Sequence, residues 1–278
     1  MSALEAILLG LLQGLTEFLP VSSSAHLRVF PAFFGLPDPG AAFTAVVQLG
    51  TMTAEVWFFR RDLVRIGRAW LVHVRALGRR AADLDARLGW FIVLGTIPIS
   101  VFGLAFEDSI ENGARNLTLI GSTLIVFGLI LLAADRLGPK IRPLERIRTR
   151  DGLLMGLAQA LALVPGVSRS GATISAGLFL GLDRVAAARF SFLLSIPAVV
   201  LSGGLQFFSL LLGGGDSGGA DPGWGAIAIA TLLAFASGYA AIAFLLRFLV
   251  SHTFDVFVAY RVALGTLVLV LVGAGAIT

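Results

Sequence analysis

Within Gln13–His26, read QGLTEFLPVSSSAH, a carboxylate (Glu17), an imidazole (His26) and three consecutive hydroxyls (Ser22, Ser23 and Ser24) interrupt a run otherwise apolar enough to sit in lipid. Ionisable groups at membrane depth cost about 2.5–3.5 kcal/mol each on insertion scales, so they are rarely kept without a role. A second stretch, PGVSRSGAT at Pro165–Thr173, sets Arg169 between Ser168 and Ser170 and ends on Thr173. Its guanidinium is a planar fork able to bind phosphate oxygens in two places and to offset developing charge. Glu17 and His26 can divide acid and base work or help hold a metal. With no further carboxylate beside it in the sequence, Glu17 supplies at most part of a Mg²⁺ site that substrate phosphates would complete. The two stretches are expected to meet in one phosphate-handling site.

Spacing indicates how these groups are held. Gln13 and Glu17 are four apart and share one helix face. Pro20 ends that helix, and the serines begin the next, whose free N–H groups and positive dipole end suit a phosphate. Serine is also a good N-cap, but three in a row exceed what capping needs. Arg169 stands at a Gly- and Pro-flanked tip. By contrast, Arg184, Arg189, Arg247 and Arg261 lie near the expected cytoplasmic ends of spans and read as side chains snorkelling to the interface. His73 and His252 sit in or beside basic loops and carry no such signal.

The bulk of the chain supplies the surroundings. Of 278 residues, 57% are hydrophobic and 14% charged, against about 25% charged in soluble domains; the mean hydropathy is +0.91. This is the composition of an integral membrane protein, long enough for several spans of about 20 residues and for no separate soluble domain. Without cysteine there is no disulfide or thiolate chemistry. The N-terminus has Glu5 and Glu17 and no basic start, so it does not read as a cleaved signal peptide. Full spans are expected at Ala42–Phe59, Leu88–Phe106, Leu117–Ala134, Ala186–Leu212, Gly225–Val250 and Phe257–Gly275. Arginine-rich loops follow the first and third, while the connection Glu107–Asn116 is mostly acidic. Both basic loops fall on one side, which the positive-inside rule makes cytoplasmic, and this pattern speaks against a nucleic-acid surface. Gly213–Gly223 lacks the Gly-Lys-Ser/Thr ending of a P-loop and reads as an extracytoplasmic linker.

A shift of 146 residues sets GLLQGL (Gly10–Leu15) on GLAQAL (Gly156–Leu161) and VSSSA (Val21–Ala25) on VSRSG (Val167–Gly171). Each half then holds a short run broken at Pro20 or Pro165, a short returning run and three spans. Runs this short fit re-entrant pairs better than full spans. An odd number of crossings inverts the second half. The expected fold is therefore all-α: a single polytopic membrane domain over residues 1–278, with six transmembrane helices and two re-entrant helical hairpins in an inverted-topology repeat. The halves cover about 1–135 and 151–278, joined by a basic cytoplasmic loop, and the tips Ser22–Ser24 and Ser168–Ser170 would meet near the midplane.

Both motifs resemble the signatures of the undecaprenyl-diphosphate phosphatase family, associated with bacitracin resistance in bacteria. The resemblance covers the order of the motifs, the basic loop between them and essentially the whole length. The family's first pattern is Glu or Gln, three residues, then Glu, so Gln13 takes the amide form; Ser24-Ala25 stands where Thr-Gly is common. The resemblance implies removal of the terminal phosphate from undecaprenyl diphosphate, regenerating the monophosphate carrier lipid for cell-wall synthesis. It further implies a multi-pass protein of the bacterial cytoplasmic (inner) membrane, a site open toward the periplasm, and dependence on a divalent cation such as Mg²⁺ or Ca²⁺. Carried across by position, Glu17, Ser23, His26 and Arg169 would be catalytic, with Glu17 also the candidate metal ligand. Gln13, Ser22, Ser24, Ser168, Ser170 and Thr173 would bind substrate. The partners implied are the prenyl diphosphate and the bilayer, with an oligomer left open.

Two mechanisms remain open at the level of sequence. Either Ser23 attacks the terminal phosphorus and His26 or Glu17 takes its proton, or water activated by Glu17 and His26 attacks directly. Phe18, Phe30 and Phe192 could line a groove for the prenyl tail or simply pack helices. A carrier or flippase for an anionic lipid is the reading from another class, because inverted repeats with midplane polar loops are typical of transporters. The asymmetry of the halves speaks for the enzyme: Glu17 and His26 have Leu163 and Ala172 as counterparts, as a one-sided acid–base site requires.

Overall fold

The computed structural model describes residues 2–36, 40–76, 83–106, 116–211 and 223–277. The turn-forming sequence Pro37-Asp38-Pro39-Gly40 is expected to close the first short hairpin; its first three residues, most of the acidic connection, most of the Gly-rich linker, and Arg79 and Arg80 lie outside the described residues. The described residues are mainly helical, joined by short turns. In order the α-helices are α1 (Ala3–Phe18), α2 (Ser23–Phe34), α3 (Gly40–Phe58), α4 (Arg60–Arg75), α5 (Leu84–Ala105) and α6 (Leu117–Leu137). They continue with α7 (Thr149–Ala160), α8 (Arg169–Phe179), α9 (Arg184–Leu211), α10 (Trp224–Phe248) and α11 (Asp255–Gly273).

Among the described residues, α5, α6, α9, α10 and α11 are long and apolar enough to cross a membrane. Helix α3, with 19 residues, stands where the first full span is expected. The protein is thus an all-α, polytopic membrane protein. Helices α1, α2, α7 and α8 have 16, 12, 12 and 11 residues. At about 1.5 Å per residue, none reaches across a core of roughly 30 Å. One element departs from expectation: Arg60–Arg75, read as part of a basic loop, is the helix α4. Its arginines stand on the outer side while Ile66 is buried, so charge density in the sequence masked a helical period.

The two halves are interleaved. Helix α1 lies along α10 and α7 along α5; α3 packs on α10 and α9 on α5; α3 meets α9 and α6 meets α11. Exchanging α1 with α7, α3 with α9, α5 with α10 and α6 with α11 pairs the first four of these contacts two by two and returns the last two onto themselves. Small residues let the helices approach, as expected where lipid offers no hydrophobic drive between them. Gly10 backs onto the backbone of Ala230, Gly14 onto that of Ala234, and Gly156 onto that of Gly95; a Cβ at any of them would overlap those atoms.

Arg261 of α11 departs from the snorkelling reading. It is 0% exposed. Its guanidinium donates to the carbonyls of Pro20 (3.1 Å), Gly166 (2.9 Å), Val167 (3.1 Å) and Leu124 (3.2 Å), with Thr123 at 3.4 Å. Pro20 and Gly166–Val167 are the breaks of the two short hairpins, so one side chain ties both to α6. Arg184 and Arg189 are not free at an interface either: they pair with Asp135 at 2.6 Å and Asp62 at 2.8 Å. Arg261→Met leaves several buried carbonyls without a donor. It is expected to cost about 3 kcal/mol or more, read as a lower unfolding midpoint in detergent, whereas Arg247→Met should stay within about 0.5 kcal/mol of wild type.

Candidate active site

The two hairpins turn in the same way. Helix α1 gives way to Leu19 in an extended conformation and then to Pro20; α2 starts at Ser23 with Ser22 as its N-cap, at φ 74° and ψ 97°. Helix α8 starts at Arg169 with Ser168 as N-cap, at φ 72° and ψ 117°. Positive φ is sparsely populated outside glycine, and such strain collects at functional sites. In each tip the N-cap hydroxyl lies 3.2 Å from the serine two residues on, Ser22 to Ser24 and Ser168 to Ser170. Ser168 also accepts from the Gly171 N–H at 3.1 Å, whereas Ser22 makes no such cap.

Between the tips three of the expected residues, Arg169, Ser23 and Gln13, converge on Glu17. Its Oε1 pairs with Arg169 Nη2 across the two halves. Its Oε2 accepts from Ser23 Oγ at 2.6 Å and from Gln13 Nε2 at 3.1 Å. Ser170 Oγ donates to the Leu19 carbonyl at 3.3 Å, a second link between tips. Glu17 and Arg169 are mostly buried, with side chains 7% and 19% exposed, so their pairing is screened little by water.

His26 and Thr173 are held away from Glu17, as Ser22, Ser24, Ser168 and Ser170 are held within the tips. His26 bonds neither Glu17 nor Ser23: its Nδ1 is 2.7 Å from the Ser22 carbonyl and its Nε2 is 2.6 Å from the Tyr260 hydroxyl. A carbonyl only accepts, so Nδ1 carries the proton and a neutral ring takes the Tyr260 proton on Nε2. Thr173 is fully buried, with its hydroxyl on the Arg169 carbonyl at 2.8 Å and on Ser191 Oγ at 2.5 Å. It fixes the turn that carries Arg169 against α9. Phe18 and Phe192 pack edge to face at 5.7 Å inside the core, so packing is their role.

Three neighbours of these residues were not anticipated: Tyr260, Arg261 and Glu55. Glu55 on α3 is buried and accepts from Ser195 Oγ at 2.6 Å. Helices α8 and α9 are joined by a short turn, and Thr173 meets Ser191. One turn back along α8 is Arg169 and one turn on along α9 is Ser195, which sets Glu55 level with Arg169. Its carboxyl interacts electrostatically with both Arg169 and Glu17. A lone ionisable residue within an expected span was the signal that could have found it.

Among the described residues the protein's own donors form no cage for a metal: no three His, Asp or Glu side chains gather, and the Glu17 oxygens already take Arg169, Ser23 and Gln13.

What emerges is a polytopic helical membrane protein with a serine, a carboxylate and a guanidinium meeting where two broken helix pairs touch. The family model described as bacitracin resistance protein BacA matches residues 6–267, and the chain belongs to that family. It is 55% identical to a protein named undecaprenyl-diphosphatase from a Nocardioides species, over 99% of this chain and 98% of that one. It is 53% identical to the undecaprenyl-diphosphatase of Mycolicibacterium smegmatis, over 99% and 98%. The relative from Frankia alni, named undecaprenyl-diphosphatase 3, is 54% identical over 100% of this chain and 97% of its own. Tyr260→Phe is expected to strip His26 Nε2 of its donor and shift that nitrogen's NMR resonance, while costing about 1 kcal/mol of stability or less. An unchanged His26 spectrum would contradict the hydrogen bond between Nε2 and the Tyr260 hydroxyl.

Proposed function

We propose that the protein hydrolyses undecaprenyl diphosphate to undecaprenyl phosphate and inorganic phosphate, with Ser23 as nucleophile and Glu17 as its base. One observation carries this reading: Ser23 Oγ donates to Glu17 Oε2 at 2.6 Å while Arg169 holds the other oxygen of the same carboxylate. Nucleophile, base and phosphate clamp are thus already assembled.

Ser23 Oγ attacks the terminal phosphorus, its proton passes to Glu17, and the bond to the bridging oxygen breaks to release the prenyl monophosphate. A protonated Glu17 no longer competes for Arg169, which turns to the oxygens of the transferring phosphoryl group. The N–H groups at the starts of α2 and α8 offer further donors there. Water then attacks the phosphoserine, Glu17 returns its proton to Ser23 Oγ, and inorganic phosphate leaves with both water protons. Of the two candidate bases, geometry favours Glu17; His26 acts from behind, tying the Ser22 carbonyl to Tyr260. A requirement for Mg²⁺ or Ca²⁺ is proposed only with substrate phosphate oxygens and water as most of the ligands, and no step above runs through the ion. The one-sided arrangement, with Leu163 and Ala172 opposite Glu17 and His26, supports a hydrolase over a symmetric carrier.

For location, we place the protein in the bacterial cytoplasmic membrane with its basic segments inside and the site open to the outer side, on the positive-inside rule. The two halves are read as inverted repeats, each hairpin dipping from its own side. The test is phosphate release from a long-chain prenyl diphosphate by detergent-purified protein, with and without EDTA. Ser23→Ala is expected to lose at least about a thousandfold in rate, and brief incubation of wild type should trap a phosphoserine at Ser23. A Ser23→Ala protein that keeps more than about a tenth of the rate would make water the nucleophile.

A further inference from the structure

Helix α4 has a face that the site does not use. Its inner side is fixed: Ile66 is buried, Trp70 meets Trp90 edge to face at 5.6 Å, and Asp62 pairs with Arg189 of α9 at 2.8 Å. Its outer side carries Arg60, Arg61, Arg65, Arg68 and Arg75, all exposed. Arg60 is engaged by the Trp57 carbonyl and ring, and Arg65 by Asp62 and Asp85. Arg61, Arg68 and Arg75 recur every seven residues, in one line along the helix, and none pairs with a carboxylate among the described residues. Beside that line, Val64, Leu71, Val72 and Val74 are exposed by 52%, 45%, 52% and 37%.

A soluble surface seldom sets such an aliphatic row against unpaired arginines. At the end of a span the combination has a physical reason. Only Phe59 separates α3 from α4, so α4 leaves the bilayer at its edge. An amphipathic helix there rests its aliphatic side at the acyl boundary and its cations among headgroups. The guanidinium fork also matches phosphate oxygens better than a point charge does.

We propose that α4 binds the anionic phospholipid of the cytoplasmic leaflet, with Arg61, Arg68 and Arg75 on headgroup phosphates and Val64, Leu71 and Val74 at the acyl boundary. Sidedness rests on the positive-inside reading; the lipid contact rests on α4 alone. The surface is a lipid selector separate from the phosphatase site, and three unpaired charges in line give it preference over zwitterionic lipid.

The test uses the full chain in vesicles of equal phosphatidylcholine and phosphatidylglycerol, extracted gently so that retained lipid can be counted by mass spectrometry. Wild type is expected to hold phosphatidylglycerol over phosphatidylcholine by about threefold or more, with the excess falling as salt is raised. The triple variant Arg61→Gln, Arg68→Gln, Arg75→Gln should fall to parity, while Arg146→Gln with Arg150→Gln, in the other basic segment, should keep the excess. Undiminished selection by the triple variant, or equal loss in the control, overturns the proposal. Because the chain has no cysteine, Leu71→Cys can carry a single nitroxide. In these vesicles that label should collide with oxygen more than with a water-soluble nickel complex. The reverse would turn the face toward water, as for docking of an acidic protein, and would also overturn it. Both readouts are independent of phosphatase activity, so failure of either reading is distinguishable from failure of the other.

Discussion

A guanidinium buried without a carboxylate is the constraint from which the rest follows. Placing a charge in a membrane core is tolerated only when hydrogen bonds answer it. Breaking a helix there is equally costly, because the freed carbonyls find no water. Arg261 sets these two liabilities against each other. The carbonyls it holds, at Pro20, Gly166 and Val167, are those freed where the hairpins break, and those at Thr123 and Leu124 belong to α6. One residue on α11 thereby fixes both tips on a common support, and the pairing of Glu17 with Arg169 across the halves depends on that registration.

On this shared support the halves carry different chemistry. The backbone is repeated closely, with φ of 74° and 72° at Ser22 and Ser168 and 3.2 Å between the paired hydroxyls in each tip. The residue that follows each strained serine differs: Ser23 in one half, Arg169 in the other. In the proposed reaction the first half supplies nucleophile and base, the second the cation that meets phosphate. Gln13 and Gln159 record the divergence. The Gln13 amide donates to Glu17, whereas Gln159, with Leu163 four residues on, is fully buried and its side chain has no hydrogen-bond partner among the described residues. Both hairpins carry the amide, and only one has a carboxylate four residues on to accept from it.

Much of this was legible in the sequence because it rests on local spacing. Gln13 and Glu17 share a helix face, Pro20 ends a helix, and runs of apolar residues mark spans to within a few positions. What stayed hidden depends on contacts between distant segments. Arg261 and Pro20 are 241 residues apart, and Tyr260 and His26 are 234 apart. Neither pairing leaves a local pattern, and Arg261 mimicked a snorkelling residue because it stands near one end of α11. Glu55 was hidden differently, as one carboxyl in an otherwise apolar run whose partner, Ser195, lies 140 residues on. Helix α4 was lost to its own arginines, since residue type outweighed the period of Ile66 and Trp70 against Arg61, Arg68 and Arg75.

The saturation of Glu17 explains why three roles can be held at rest without conflict. Its carboxylate answers Arg169 with one oxygen and Ser23 and Gln13 with the other, so the resting pair is neutral and neither the base nor the clamp is left as a lone charge in a low dielectric. That arrangement also links the two events of catalysis. In the mechanism proposed above, Glu17 on taking the Ser23 proton gives up the negative charge that holds Arg169, and the guanidinium is released at the moment charge develops on the phosphoryl oxygens. A charged clamp pre-aimed at solvent would be quenched before substrate arrived. One held by the base itself becomes available only in the step that needs it, which is the form of differential stabilisation that raises turnover instead of ground-state binding.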